Sequence, residues 1–224
     1  MEVDYKTIHE DPALKRGLYG LNELTSYLNF DQPRTLAAST VARWAHKGLS
    51  ALEHTARRSD YSFVDLVSML VVRNLIVQGL SIGDIRRADA HLRERYGHDH
   101  PFVSVRLKTD GVDVFYDALP SIADQLTAAN RGGQEVIRPA ITRALQGVTY
   151  EHGLAATWSP VDGVTLDPKI QFGEPCIADR SVTTSQLAEL ATGMSTAALA
   201  EAYRLDESSV RQAIDFERRL VISA

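Results

Sequence analysis

Apolar residues recur along this chain with two different spacings, and the change between them divides it. Leu21, Leu24 and Leu28 stand at i, i+3 and i+7, one face of a short helix. A polar break follows, in which Asp31-Gln32-Pro33-Arg34-Thr35 is a longer turn than a minimal helix-turn-helix uses. Ser39 is an N-cap candidate for a second helix, because its hydroxyl can accept from an N–H left open in the first turn. In that helix Val41, Trp44 and Ala45 point one way and Thr40, Arg43 and Lys47 the other, with Gly48 as the stop. The run from Phe63 to Gln78 is apolar nearly all round, as a buried helix is. Gly79 closes it, and Ser81 with Asp84 forms a capping-box pattern that opens a further helix ending at Gly97.

Beyond Gly97 the period falls to two. Val103, Val105 and Leu107 alternate with Ser104, Arg106 and Lys108; Thr109-Asp110-Gly111 is a hairpin signal, and Val112, Val114 and Tyr116 continue the alternation. Helical patches are expected at Ile122–Ala129 and Val136–Leu145, then short strands at Val148–Glu151 and Ala155–Trp158. Three more helices are expected at Ser185–Thr192, Ser195–Tyr203 and Asp206–Leu220, the last capped by Asp206. The fold class read from these elements is α+β, mainly α. It has an N-terminal winged helix-turn-helix (17–97), a central β-hairpin and α+β element suited to linking or dimerisation (98–166), and a C-terminal three-helix unit (167–224).

Composition narrows the function. The 224 residues suit more than one domain, and no run approaches the ~20 apolar residues of a membrane helix. The start Met1-Glu2-Val3-Asp4-Tyr5-Lys6 lacks the pattern of a signal peptide. A single cysteine, Cys176, precludes an internal disulfide and suits a cytoplasmic location; between Pro175 and Ile177 it reads as a small buried hydrophobe. The net charge of −5 argues against a wholly basic nucleic-acid binder. Its distribution argues the other way locally. Between Arg34 and Asp60 the cations are Arg34, Arg43, Lys47, Arg57 and Arg58, against Glu53 and Asp60.

Little supports catalysis. His98-Asp99-His100 has no further ligands close in sequence, so no metal is expected; there is no P-loop and no Gly-x-Gly-x-x-Gly, and no cofactor is expected. The basic helix supports two readings. It is either the solvated face of an ordinary amphipathic pair, or a major-groove helix whose Trp44 side packs while Ser39, Thr40, Arg43, His46 and Lys47 meet DNA. Arg57-Arg58 in a polar turn before Tyr61 sits where a wing would reach the backbone, which favours the second.

The basic helix, Tyr61-Ser62-Phe63-Val64-Asp65-Leu66 and Gly79-Leu80-Ser81-Ile82-Gly83-Asp84-Ile85-Arg86-Arg87 together resemble the MerR-type winged helix-turn-helix. That resemblance places Arg43 and Lys47 on a recognition helix and Arg57, Arg58 and Tyr61 on a wing that touches the DNA backbone. The paired tyrosines of the MerR recognition helix are absent, and the helix ending at Gly97 is too short for that family's dimerising coiled coil.

Asp167-Pro168-Lys169-Ile170-Gln171-Phe172-Gly173-Glu174-Pro175-Cys176-Ile177, Arg180-Ser181-Val182-Thr183-Thr184, Gly193-Met194-Ser195 and Ala202-Tyr203-Arg204-Leu205 resemble a second family. It is the small helical domain, long of unknown function, of VapB-type antitoxins encoded beside PIN-type ribonuclease toxins. The resemblance implies a non-enzymatic antitoxin that represses its own promoter and neutralises the toxin, as a homodimer and in a heteromeric complex. PIN-type enzymes hold Mg²⁺ with clustered carboxylates, which an inserted arginine can satisfy instead; Arg180, Arg218 and Arg219 are the candidates, or else solvated surface charges. Where that family has Gly-Thr-Arg, this chain has Asp179-Arg180-Ser181. The alternative is a stand-alone MerR-like regulator whose C-terminal domain senses an effector.

Overall fold

The computed structural model describes residues 16–46, 60–97, 100–109, 133–178 and 180–222. The fold is mixed α+β and mainly α, as the spacing predicts. Helix α1 (Leu21–Asn29) lies against both α2 (Ala38–Trp44) and α3 (Phe63–Val77), and the residues of α3 are buried from Phe63 to Leu75. That burial explains a sequence with no polar face. Ser62 caps α3: its hydroxyl accepts from the Asp65 N–H at 3.1 Å while the Asp65 carboxylate accepts from the Ser62 N–H at 2.8 Å. Helix α4 (Ile82–Tyr96) opens with the expected Ser81–Asp84 box and ends at Gly97 with φ +73°, where a side chain would be strained.

The next segment departs from expectation. The alternating run at Phe102–Lys108 is not a strand. Pro101 starts a 3-10 turn (Pro101–Val103), and α5 (Val105–Thr109) follows. Helical spacing serves the core equally well here, since Val103 and Leu107, four apart, are both fully buried. The second arm of the expected hairpin, 112–116, and the patch at 122–129 lie outside the described residues. Helix α6 (Gly133–Ala144) falls where it is expected and packs on α3.

Four antiparallel strands form a meander in the order β1 (Val148–Glu151), β2 (Leu154–Val161), β3 (Val164–Leu166), β4 (Pro175–Ile177). Two-residue turns, His152-Gly153 and Asp162-Gly163, join the first three. The sequence reading found the first two strands and missed the others. One apolar core extends from Tyr19 to Leu166, through α1–α6 and the sheet. The position between 166 and 167 lies between hydrogen-bonded β3 and β4, with Leu166 opposite Pro175.

Helices α7 (Thr184–Leu190), α8 (Thr196–Tyr203) and α9 (Glu207–Ile222) complete the chain. Thr183 and Ser195 cap the first two, and the Asp206 carboxylate accepts from the Ser209 N–H at 2.8 Å to cap the third. Helix α9 reaches back to the start of the chain. Phe216 meets Phe30 with ring centroids 4.9 Å apart, the Arg219 guanidinium lies 4.7 Å from the Phe30 ring centre, and Arg219 pairs with Asp31. Cys176 is buried, as its neighbours imply, and burial pushes its thiol up to about 11.

Candidate nucleic-acid interface

Helix α1 is the support. Leu24 and Leu28 are fully buried and Tyr27 nearly so. The Glu23 carboxylate accepts from the Gly20 N–H at 3.3 Å and from the Tyr27 hydroxyl at 2.9 Å, which locks the first turn. Burial, outweighing these two bonds, raises the Glu23 pKa above its ordinary value. Helix α2 is two-sided in the way its sequence requires. Val41, Trp44 and Ala45 are buried, while Ser39, Arg43 and His46 are exposed and Thr40 is half-buried. Arg43 donates to the Thr40 hydroxyl at 3.3 Å, so both lie on one face. Ser39 is not the N-cap. The helix begins two residues earlier than a Ser39 cap would set it, at Ala38, with Ala37 in the cap position and no side-chain bond there, which leaves Ser39 exposed.

The turn between α1 and α2 is held from beneath. Arg73, in the middle of α3 and 2% exposed, donates from Nη1 to Asn29 Oδ1 at 3.1 Å and from Nη2 to the Arg34 carbonyl. Asn29 in turn accepts from the Leu36 N–H at 2.7 Å and donates to the Leu36 carbonyl at 3.1 Å. Both ends of the turn are thereby fixed to the bracing helix, which is how a turn longer than the minimum keeps α2 in place. The guanidinium meets neutral oxygens here, its Nε has no partner among the described residues, and burial lowers its pKa.

The other anticipated positions divide into three groups. Lys47, Arg57 and Arg58 lie outside the described residues. Tyr61 does not offer its ring to solvent: it is 4% exposed, its N–H and carbonyl are bonded to Tyr19, and burial raises its phenol pKa. In this arrangement it fastens the backbone just before α3 to the backbone just before α1. Of the three arginines given to a ribonuclease partner, Arg180 is exposed beside β4, and Arg218 pairs with Asp215 one helical turn away at 3.4 Å. Arg219 instead spans α9 and the Phe30-Asp31 corner.

Sequence reasoning missed Asn29 and Arg73. Arg73 interrupts an otherwise apolar helix, and that interruption was the signal: a cation on a helix with no solvated face must find acceptors inside. Among the described residues no group of three or more potential ligands is placed to hold a metal, and no helix is long and apolar enough to cross a membrane.

Three comparisons place these features. Residues 164–216, from β3 into α9, match a family model described as "Protein of unknown function (DUF433)". Three relatives, from Mycobacterium bovis and two strains of Mycobacterium tuberculosis, are each named an uncharacterized HTH-type transcriptional regulator. Each is 33% identical over 89 residues, which is 40% of this chain and 37% of the relative, so the match spans little more than a third of their length. The crystal structure of Rv2018 from Mycobacterium tuberculosis superposes with a TM-score of 0.68 at 22% identity, covering 89% of this chain and 98% of that one. The architecture is therefore shared with a solved protein over nearly its whole length.

Proposed function

We propose that this chain is a non-enzymatic transcription regulator that binds promoter DNA through α2, and that it also inhibits a PIN-type ribonuclease partner as an antitoxin. The observation that carries the DNA reading is the division of α2 into a buried Val41/Trp44/Ala45 side and an exposed Ser39/Arg43/His46 side, on a turn anchored from below. Such a helix can enter a groove without disturbing its own packing. The relatives named as HTH-type regulators point the same way. Ser39, Thr40, Arg43, His46 and Lys47 are the proposed base- and phosphate-facing set, with Arg57 and Arg58 on the backbone.

The inhibitor half rests on the resemblance of Asp167–Leu220 to the antitoxin-associated domain, which coincides with the matched family segment. Of the three arginines, Arg219 is engaged with Asp31 in the α9–α1 contact, whereas Arg180 is exposed and Arg218 pairs with Asp215 on its own helix. The test is co-purification from cells expressing this chain with the product of the neighbouring gene, only the neighbour tagged. A complex whose partner degrades RNA once this chain is removed supports the reading, and DNA binding with no complex removes its inhibitor half.

A second reading has its own observation. A cleft of about 650 Å³ beside α6 is lined by Lys108, Arg138 and Arg143 with Pro139, Thr142 and Leu145. Such a cleft suits a small anion and favours an effector-responsive regulator, with the effector beside α6 instead of in the C-terminal helices. Saturation of that cleft by a ligand that changes DNA affinity, in the absence of any ribonuclease complex, would select it.

A further inference from the structure

The corner that ends α1 is packed by the far end of the chain. Phe30 is buried, yet it stands outside the core that runs from Tyr19 to Leu166 and joins a separate cluster with Val164 of β3 and Phe216 of α9. Its ring meets that of Phe216 at 4.9 Å between centroids, tilted by 41°. The next residue, Asp31, has φ of +54°, so the backbone reverses there through the left-handed region. The Asp31 carboxylate accepts from Arg219 Nη2, and the same guanidinium lies 4.7 Å from the Phe30 ring centre. One side chain of α9 thus engages both residues of the corner.

The turn that follows has little burial of its own. Pro33, Arg34 and Thr35 are exposed, and Gln32 and Leu36 are half-buried. Such a segment keeps its shape through anchors supplied from elsewhere. Among the described residues three supply them. Arg73 of α3 donates to the Arg34 carbonyl, Asn29 of α1 bonds both backbone groups of Leu36, and Arg219 of α9 holds Asp31. A cleft of about 410 Å³, lined by Asp31, Gln32, Pro33, Arg219 and Ile222, opens beside that last pair. It leaves the turn room to shift once the pair is broken.

We infer that Arg219 is a positioning residue for α2. By holding Asp31 and covering Phe30 it fixes the start of the turn from which α2 emerges, and promoter affinity depends on a helix that supplies none of the side chains proposed to face DNA. This rests on the DNA-binding reading and extends it to the C-terminal helices. It also gives Arg219 a task within its own chain, in place of a partner's carboxylates.

The sign of one effect separates this role from simple electrostatics. Asp31 is an anion on the turn that leads into α2, so loss of its charge alone would favour DNA. As the handle by which α9 holds the turn, its loss weakens binding instead.

The experiment measures binding of the full chain to a labelled fragment of the DNA upstream of its own gene, across a salt series and well below the melting transition. Arg219→Met keeps an aliphatic stem against Phe30 and removes the guanidinium. Asp31→Asn removes the charge and keeps a residue at home at positive φ. Both side chains of the pair are exposed, so each variant should lose about two- to fivefold in affinity, with Tm within about 4 °C of wild type. The double variant should bind no more weakly than Arg219→Met alone, and the salt slope should not change. Asp31→Asn binding as tightly as wild type, or more tightly, overturns the assignment, as does a double variant whose loss is the product of the two single losses. A salt slope lower by about one in Arg219→Met makes that side chain a direct phosphate contact and overturns it too. No binding by wild type overturns the DNA reading and this inference with it.

Discussion

Arg73→Met separates two roles that a buried arginine can have. The substitution keeps the aliphatic stem within α3 and removes the guanidinium that reaches Asn29 and Arg34. Two charge-assisted bonds of roughly 1.5–3 kcal/mol each are lost. Against them stands the desolvation of a cation 2% exposed among neutral acceptors, a penalty of several kcal/mol that methionine does not incur. The two terms nearly cancel, so global stability in urea should change by no more than about 1–2 kcal/mol. DNA binding should respond more. The Arg34 carbonyl loses its anchor, while Asn29 keeps its two bonds to Leu36, so the middle of the turn is released and its end is not. Re-fixing one or two residues when DNA binds costs about 2 kcal/mol, a loss of roughly thirtyfold in affinity. Fluorescence anisotropy on a labelled promoter fragment reads that number directly. An affinity within about twofold of wild type, joined to a stability loss above ~3 kcal/mol, would refute the reasoning and make Arg73 a core residue with no positioning role.

Arg43→Ala should weaken promoter binding by about 1–3 kcal/mol if it reads a base edge, and should lower the salt slope by about one if it contacts a phosphate; anisotropy across a salt series distinguishes the two. Phe30→Ala removes the ring between Phe216 and the Arg219 guanidinium and should destabilise the fold by about 3–5 kcal/mol, with hydrogen exchange rising first in α9. Burial raises the Glu217 pKa above the ordinary carboxylate value of 4.5, although Thr184 donates to it. A raised carboxyl favours the folded state below pH 4.5 and that advantage fades as pH climbs through the folded value. Glu217→Gln should therefore raise Tm near pH 7, with the gain shrinking as pH falls through the raised folded value and vanishing below pH 4.5, as read by thermal melts over a pH series.

The helices were legible because their signals are local. Leu21, Leu24 and Leu28 repeat at the helical period, Ser81 and Asp84 stand three apart, and α7–α9 each follow a capping side chain. Ser39 misled for the same reason: a good cap residue one position from the helix start differs little, in sequence, from one in the cap itself. The run at 102–108 was misread because Val103, Val105 and Leu107 satisfy a period of two, while Val103 and Leu107 alone satisfy a helix. Strands β3 and β4 have three residues each, too few for alternation to emerge. On the candidate interface the Thr40/Arg43 face could be read from the sequence. Its foundation could not, because Arg73 finds Asn29 and Arg34 across separations of 44 and 39 residues. The left-handed turn Gln171-Phe172-Gly173, between β3 and β4, carries one glycine as its clue, and nothing local marks its other two residues.

The closure of α9 over Phe30 and Asp31 joins residues 188 apart in the chain. During synthesis the corner that ends α1 must therefore wait, with one side of Phe30 uncovered, until the last helix has left the ribosome. A nascent or truncated chain that stops before Phe216 would present an apolar opening beside α1 and α2. The cell would meet a sticky fragment there in place of a closed fold.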